Sequence, residues 1–196
     1  MRLTSFQLRS IQRSEIDFLL KPLAVDMTTG VLRQRTREEL IELLPSLQIF
    51  WDQGKLVGMV ALTKYDWCSE LSLLWVAPNY RQLGLGRELV AQAFFTAQEL
   101  AENLIFICTV SPTKVNWFKA LGFHEASASA VPDKKWQNYP ANRQPIVMLQ
   151  EVSHYLKQFC CCRECAGRGW EFADRWDKVD CPLCCGTGYE NELLKK

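Results

Sequence analysis

The sequence predicts an α/β fold, a mixed sheet flanked by helices, followed by a small cysteine-rich module. Three observations predict it. Between residues 3 and 150, strand-length apolar runs alternate with stretches of helical spacing. The run LSLLWVAP is apolar on both faces, as a central strand buried from two sides must be. Seven of the nine cysteines fall after residue 159, where aliphatic residues thin out.

Each element follows from its own residues. Residues 3 to 12 alternate and suit a first strand. Ile16, Leu19, Leu20 and Leu23 have helical spacing behind Ser14 as N-cap, with Pro22 expected to kink or break the helix. Thr36 and Glu39 form a capping box that opens a second helix, which Pro45 ends. LQIFWDQ and KLVGMVALTKYD flank Gly54 as a hairpin, and SELSLLWVA is the fourth, central strand. A long amphipathic helix runs from Arg87 to about Glu102, burying Val90, Phe94, Ala97 and Ala101. LIFICTV is a buried fifth strand, SPTKVNWFKALGF a short helix closed by Gly122, and PIVMLQEV the last strand. The order is βααβββαβαβ. The expected organisation is a catalytic-sized domain over residues 1–152, a linker over 153–159, the cysteine module over 160–190 and a tail over 191–196.

Composition narrows the function. At 196 residues, 48% hydrophobic and 23% charged, the chain can bury one core, and a net charge of +1 argues against an electrostatic sleeve for nucleic acid. The N-terminus lacks the apolar core of a secretory signal and no run reaches bilayer length, so a soluble, cytoplasmic protein without a membrane partner is expected.

RQLGLGR stands where the fourth strand hands over to the long helix. Main-chain N–H groups opening a helix lack intrahelical partners, and the helix dipole adds positive charge there. Glycines at 84 and 86 permit φ > 0 and close approach of an anion, while Arg81 and Arg87 add full charges. A tight turn has the same composition, but the phosphate loops with a defined signature do not fit: GxxxxGK is absent, and Leu89 stands where a dinucleotide fingerprint needs glycine.

LSLLWVAPNYRQLGLGRELV, followed some thirty residues later by NWFKALGF, resembles the GNAT superfamily of acetyl-CoA-dependent N-acetyltransferases over residues 3 to about 150. Its R/QxxGxG/A signature is met by Arg81, Gly84 and Gly86, and its aromatic pair and GF by Trp117, Phe118, Gly122 and Phe123. The resemblance implies a V-shaped opening between the fourth and fifth strands, with the pantetheine arm of acetyl-CoA bonded to main chain near Leu74 and Val76 and the pyrophosphate on residues 82 to 87. The implied coenzyme set is Leu74, Val76, Arg81, Gln82, Leu83, Gly84, Leu85, Gly86, Arg87 and Phe118.

Acetyl transfer needs a proton acceptor and an oxyanion donor. Glu70, at the start of the fourth strand, is the candidate base, directly or through water, with a solvated strand-end charge as the alternative. The amide of Leu74 or Val76 is the candidate oxyanion donor. Phe118 occupies the position where many members carry a tyrosine that protonates the departing thiolate. Cys108, Trp75 and Trp117 are expected in the core, His124 on the surface with substrate contact as the alternative, and Cys68 has no base beside it.

Within the superfamily the chain is similar to N-acetylglutamate synthases, through GVLRQRTREEL, NWFKALGF and NYPANRQPIVML. An acceptor bearing carboxylates would find forked cations in Arg33, Arg35 and Arg143; a basic solvated loop accounts equally for the first two. Where those synthases tend to place an arginine before the WF helix, this chain has only Lys114. A small-molecule or protein amine is the expected partner, with a non-catalytic acyl-CoA-binding adaptor as the rival and homodimerisation open.

Cys162 and Cys165, then Cys181 and Cys184, open two copies of CxxCxGxG. Four thiolates in two knuckles suit one structural zinc ion, which would supply the folding energy of a module too small for a core, with a redox disulfide or disorder as the alternatives. The repeat resembles the cysteine-rich module of DnaJ-type chaperones. Its expected role is to dock a protein, cap the enzyme or sense redox state. Cys160, Cys161 and Cys185 are surplus.

Overall fold

In the computed structural model the described residues are 7–9, 11–137, 139, 143–160, 170–172 and 178–180. Strand β1 (Gln7–Leu8) precedes helices α1 (Asp17–Thr28) and α2 (Arg37–Leu43); strands β2 (Gln48–Asp52), β3 (Lys55–Lys64) and β4 (Ser69–Val76) follow. Then come α3 (Leu85–Glu99), β5 (Leu104–Thr109), α4 (Pro112–Lys119), β6 (His124–Ala126), β7 (Ile146–Glu151), α5 (Val152–Tyr155), β8 (Trp170–Phe172) and β9 (Lys178–Asp180). Seven strands form one sheet in the order β1-β2-β3-β4-β5-β7-β6, with β4 at its centre. Among the pairings of this sheet only β4 with β5 is parallel.

Local chemistry explains the boundaries. The Thr36 hydroxyl accepts from the Glu39 N–H at 3.2 Å and the Glu39 carboxylate accepts from the Thr36 N–H at 2.9 Å, the reciprocal box that starts α2. Gln53 and Gly54 both have positive φ, the requirement of a two-residue hairpin turn matched to strand twist. Gly122, at φ +86°, closes the turn after α4.

Several expectations are corrected. Ser14 is not a cap: it lies within a 3-10 turn over Arg13–Glu15, where Glu15 accepts from the Gln12 N–H at 3.0 Å. Pro22 sits inside α1 without ending it, because packing of Leu19, Leu23 and Met27 against the sheet outweighs one lost bond. Ala101 is exposed at φ +56° beyond the end of α3. The edge strand β6 is an addition, too short and too polar for its period to show. Residues 153–159, read as a linker, belong to α5 and a following π-turn. There Tyr155 stacks on Phe94 with ring centroids 3.7 Å apart, so the core continues through Leu156.

Two cores sandwich the sheet. Leu85, Leu89, Val90 and Phe94 of α3 pack on Val60, Leu62, Ile105 and Ile107; Leu19, Leu23, Leu40 and Leu43 pack on Ile49, Met59, Leu73 and Trp75 from the other side. Gly58 permits the first contact, since a Cβ there would stand 2.9 Å from Leu89 Cδ1. In β4 the register with β3 skips Ser72, so Leu71 faces the α3 core while Leu73 and Trp75 face the other. A bulge of this kind turns the alternation over.

Candidate active site

The seam between β4 and β5 is short. Only Ser69 with Ile105 and Glu70 with Phe106 are paired, although β4 continues to Val76 and β5 to Thr109. Beyond Glu70 the two strands part and leave an open wedge. Ala77 donates its N–H to Val57 O at 2.9 Å, and Trp75 and Leu73 face Met59 and Ala61 in the same register. Alternation therefore turns the N–H groups of Leu74 and Val76 into the wedge. An extended chain lying there would meet main-chain donors and acceptors as an added strand does.

The wedge leads to the start of α3. Gly84, the N-cap, has φ +89° and ψ −15°, and a Cβ on it would meet nothing within 4 Å. Gln82 is also left-handed, at φ +64°. The helix closes with Arg87 N–H on Gly84 O at 2.9 Å. The N–H groups of Leu85 and Gly86 precede that bond and, with those of Gln82, Leu83 and Gly84, donate to no main-chain carbonyl among the described residues. Gly86 itself has helical φ. Its role is proximity: a Cβ there would stand 3.4 Å from Trp117 Cζ2. Leu83 and Arg87 are exposed, and Leu85 is buried in the core. Arg81 is engaged elsewhere, its guanidinium ion-paired with the buried Asp26 while Nε donates to Val76 O at 3.0 Å. Asp26 also accepts from Trp75 Nε1 at 2.7 Å, which ties α1 to β4.

On the other side the wedge opens into a cleft of about 1300 Å³. Its walls bring together Glu70, Arg33, Arg35 and Arg143, far apart in sequence, with Lys114 and Lys135. Arg33 is ion-paired with Glu39, the same carboxylate that caps α2. Arg35 donates to Ser72 O, the bulged residue of β4, and burial, then the neighbouring Arg33, pulls its pKa down. Lys114 donates to Val31 O at 3.1 Å, and its pKa is lowered chiefly by burial. Arg143 has no ion-pair partner among the described residues.

Glu70 is not a solvated strand-end charge. It is 7% exposed, ion-paired with Lys135 and bonded by the Tyr65 hydroxyl at 3.3 Å. Tyr65, Tyr139 and Lys135 line the cleft without having been singled out from sequence; the pair Lys134-Lys135 beside Trp136 was the available signal. Burial, first, and Glu70 raise the pKa of Tyr65. The Cys108 thiol is pushed up to about 12, mainly by burial, and Cys68 to about 11 for the same reason, so neither supplies a thiolate. Phe118 lies in the α3 core, edge-on to Trp117 at 4.8 Å. Trp75 is core as expected and His124 is on the surface. Trp117 departs from expectation: it is 37% exposed and lines the cleft. Cys162, Cys165, Cys181 and Cys184 lie outside the described residues.

The pattern of the acetyltransferase (GNAT) family matches residues 20–123, more than half of the chain. The amino-acid acetyltransferase of Pasteurella multocida is 28% identical over 143 residues, which are 72% of this chain and 32% of that protein. That of Vibrio cholerae is 29% identical over 136 residues, 67% of this chain and 29% of that one. The chain thus spans about a third of the length of the curated relatives it matches. Among solved structures, N-acetylglutamate synthase from Neisseria gonorrhoeae complexed with coenzyme A and N-acetyl-glutamate superposes with a TM-score of 0.69 at 23% identity, over 77% of this chain and 36% of that one. Rv2747 from Mycobacterium tuberculosis in complex with CoA and NLQ gives 0.62 at 18% identity, over 74% of this chain and 98% of that one. At these identities the likeness is one of fold.

Proposed function

Because the chain belongs to the acetyltransferase (GNAT) family, we propose that it is an acetyl-CoA-dependent N-acetyltransferase whose acceptor is an amino acid carrying carboxylates, glutamate being the first to try. The observation that carries the reading is the parting of β4 from β5 after Glu70, with main-chain N–H groups on one side and a cation-lined cleft on the other. Coenzyme A fits the residues present: five consecutive N–H groups are without main-chain acceptors among the described residues, and the space over Gly84 is open. When bound, the coenzyme supplies the acetyl group as a thioester.

The chain's own residues do the rest. Gln82 to Arg87 hold the pyrophosphate through main-chain donors, helped by the Arg87 charge and not by Arg81, which is committed to Asp26. Val76 steadies the pantetheine arm. Leu74 N–H donates to the acyl oxygen as it gains charge. Glu70 takes the acceptor's proton, and Arg33, Arg35 and Arg143 face its carboxylates. Phe118 has no proton to give; a thiol of pKa about 8.5 leaves without one.

We further propose one structural zinc ion on Cys162, Cys165, Cys181 and Cys184. Antiparallel pairing of β8 with β9 supports this, since Cys181 directly follows Asp180, whose partner Trp170 is the residue the first knuckle leads into. Full-length protein should carry about one zinc per chain, lost in C162S or C184S; metal-free protein with free thiols would exclude it.

The deciding experiment measures coenzyme binding by calorimetry and thiol release over a panel of glutamate, other amino acids, polyamines and peptides. Turnover on acidic amino acids is expected. Turnover on peptide amines alone would overturn the acceptor, and no coenzyme uptake would overturn the whole. The tyrosine missing at Phe118 favours one second reading, a non-catalytic acyl-CoA-binding adaptor, which uptake without any turnover would select.

A further inference from the structure

An ammonium group already sits on the carboxylate that would serve the acceptor amine. Lys135, in the 3-10 turn Asp133–Lys135 between β6 and β7, is ion-paired with Glu70 through a side chain only 11% exposed. Its Nζ lies 5.1 Å from the centroid of the Tyr139 ring. Lys135 lines the same cleft as Cys108 and Thr109 of β5 and Leu71 of β4. Glu70 is also the last β4 residue paired with β5, at the apex of the wedge. Nζ thus belongs to the cleft rather than to solvent, unlike the Lys119 ammonium, half-exposed on Glu125 at 2.6 Å.

We infer that Lys135 is a modification site of the enzyme itself: its Nζ is acetylated within the same molecule, using the Glu70 carboxylate and the acetyl donor of the wedge. The inference rests on the acetyltransferase reading above. The step balances without a further reactant. Glu70 accepts one proton from the Lys135 ammonium; the freed nitrogen lone pair forms the N–C bond to the acyl carbon; the C–S bond breaks; the second proton lost by nitrogen ends on the departing sulfur, giving amide and thiol. Glu70 then returns its proton to solvent. The product is a neutral amide that no longer forms an ion pair, so modification releases Glu70 from its partner. It also removes one positive charge from a cleft whose other cations include Arg33, Arg35 and Arg143.

The test is intact-mass and peptide mass spectrometry of full-length protein incubated with acetyl-CoA and no acceptor, beside calorimetry with coenzyme A. The expected result is one added acetyl group, on Lys135, at a rate independent of protein concentration. It should be lost in K135R, slowed at least about ten-fold in E70Q and unchanged in K119R. Thermal melts of all three variants check that each is folded. A free acidic amino acid should slow the modification by competing for Glu70. Coenzyme uptake with Lys135 unmodified would overturn this inference and leave the acetyltransferase reading standing, whereas no uptake at all would remove both. Acetyl groups spread evenly over exposed lysines, or a rate rising with protein concentration, would also overturn it.

Discussion

Lys135 and Asp26 are the residues through which sequence reasoning and structure part most sharply. Glu70 was legible as a carboxylate on the central strand, but its buried cationic partner comes from a turn sixty-five residues later, and nothing in local pattern announces a long-range ion pair. Arg81 shows the reverse. Its place in the R/QxxGxG motif suggested a free charge for phosphate, whereas the structure gives it a double structural bond, to Asp26 and to Val76 O. R81A should therefore lower stability by about 1–2 kcal/mol in urea titrations, the cost of leaving Asp26 underpaired, while weakening coenzyme binding less than R87A does. The two thiols give a second prediction. Burial, which disfavours the thiolate, pushes the Cys68 thiol up to about 11 and the Cys108 thiol up to about 12 from an ordinary 9.0. A folded pKa above the unfolded one contributes stability that is complete below pH 9 and is lost as pH rises through 11 to 12. Thermal midpoints should fall across that window, less steeply in C68A. Peptide mapping at pH 8 should find Cys108 alkylated more than about a hundred-fold slower than an exposed thiol.

Helices and strands with strong period or caps were legible: α2 from its capping box, the β2–β3 hairpin from Gly54, and β4 from its continuous apolar run. What failed was set by contacts beyond the element. Pro22 is carried inside α1 by its packing, β6 exists because β7 offers an edge, and the bulge at Ser72 leaves no mark on a run of leucines. The turn before α3 was half legible, since positive φ falls at Gly84 as expected but at Gln82 instead of Gly86. The two glycines should respond differently. G84A forces a β-carbon into the left-handed region at a cost of about 1–2 kcal/mol, with no clash, and should weaken coenzyme binding by misplacing the first amides. G86A needs only a small displacement of the Trp117 ring, so its effect should appear as a changed tryptophan emission with little loss of stability. Equal losses of affinity and stability in both variants would contradict this division.

At the level of the molecule, the order of elements foretold one mixed sheet carrying strands and helices in alternation, and the structure has it, with a core on each face. Arg33, Arg35, Lys114, Arg143 and Glu70 were legible as candidates and all line the cleft, whereas Lys135, Tyr65 and Tyr139 were not, because they reach it from turns that only folding brings beside Glu70. Among the described residues no helix is long and apolar enough to cross a membrane. The sheet is continuous in order yet sewn in its middle by just two residue pairs, Ser69 with Ile105 and Glu70 with Phe106. Such a sheet resembles a book with a short spine. Each cover has its own hydrogen-bonded lattice, β1 to β4 on one side and β5 to β7 on the other, and side chains of α3 pack on both. Whatever lies between the covers completes the binding, so filling the gap should slow amide exchange of Leu74 and Val76 far more than that of residues 57 to 61, already locked in their page.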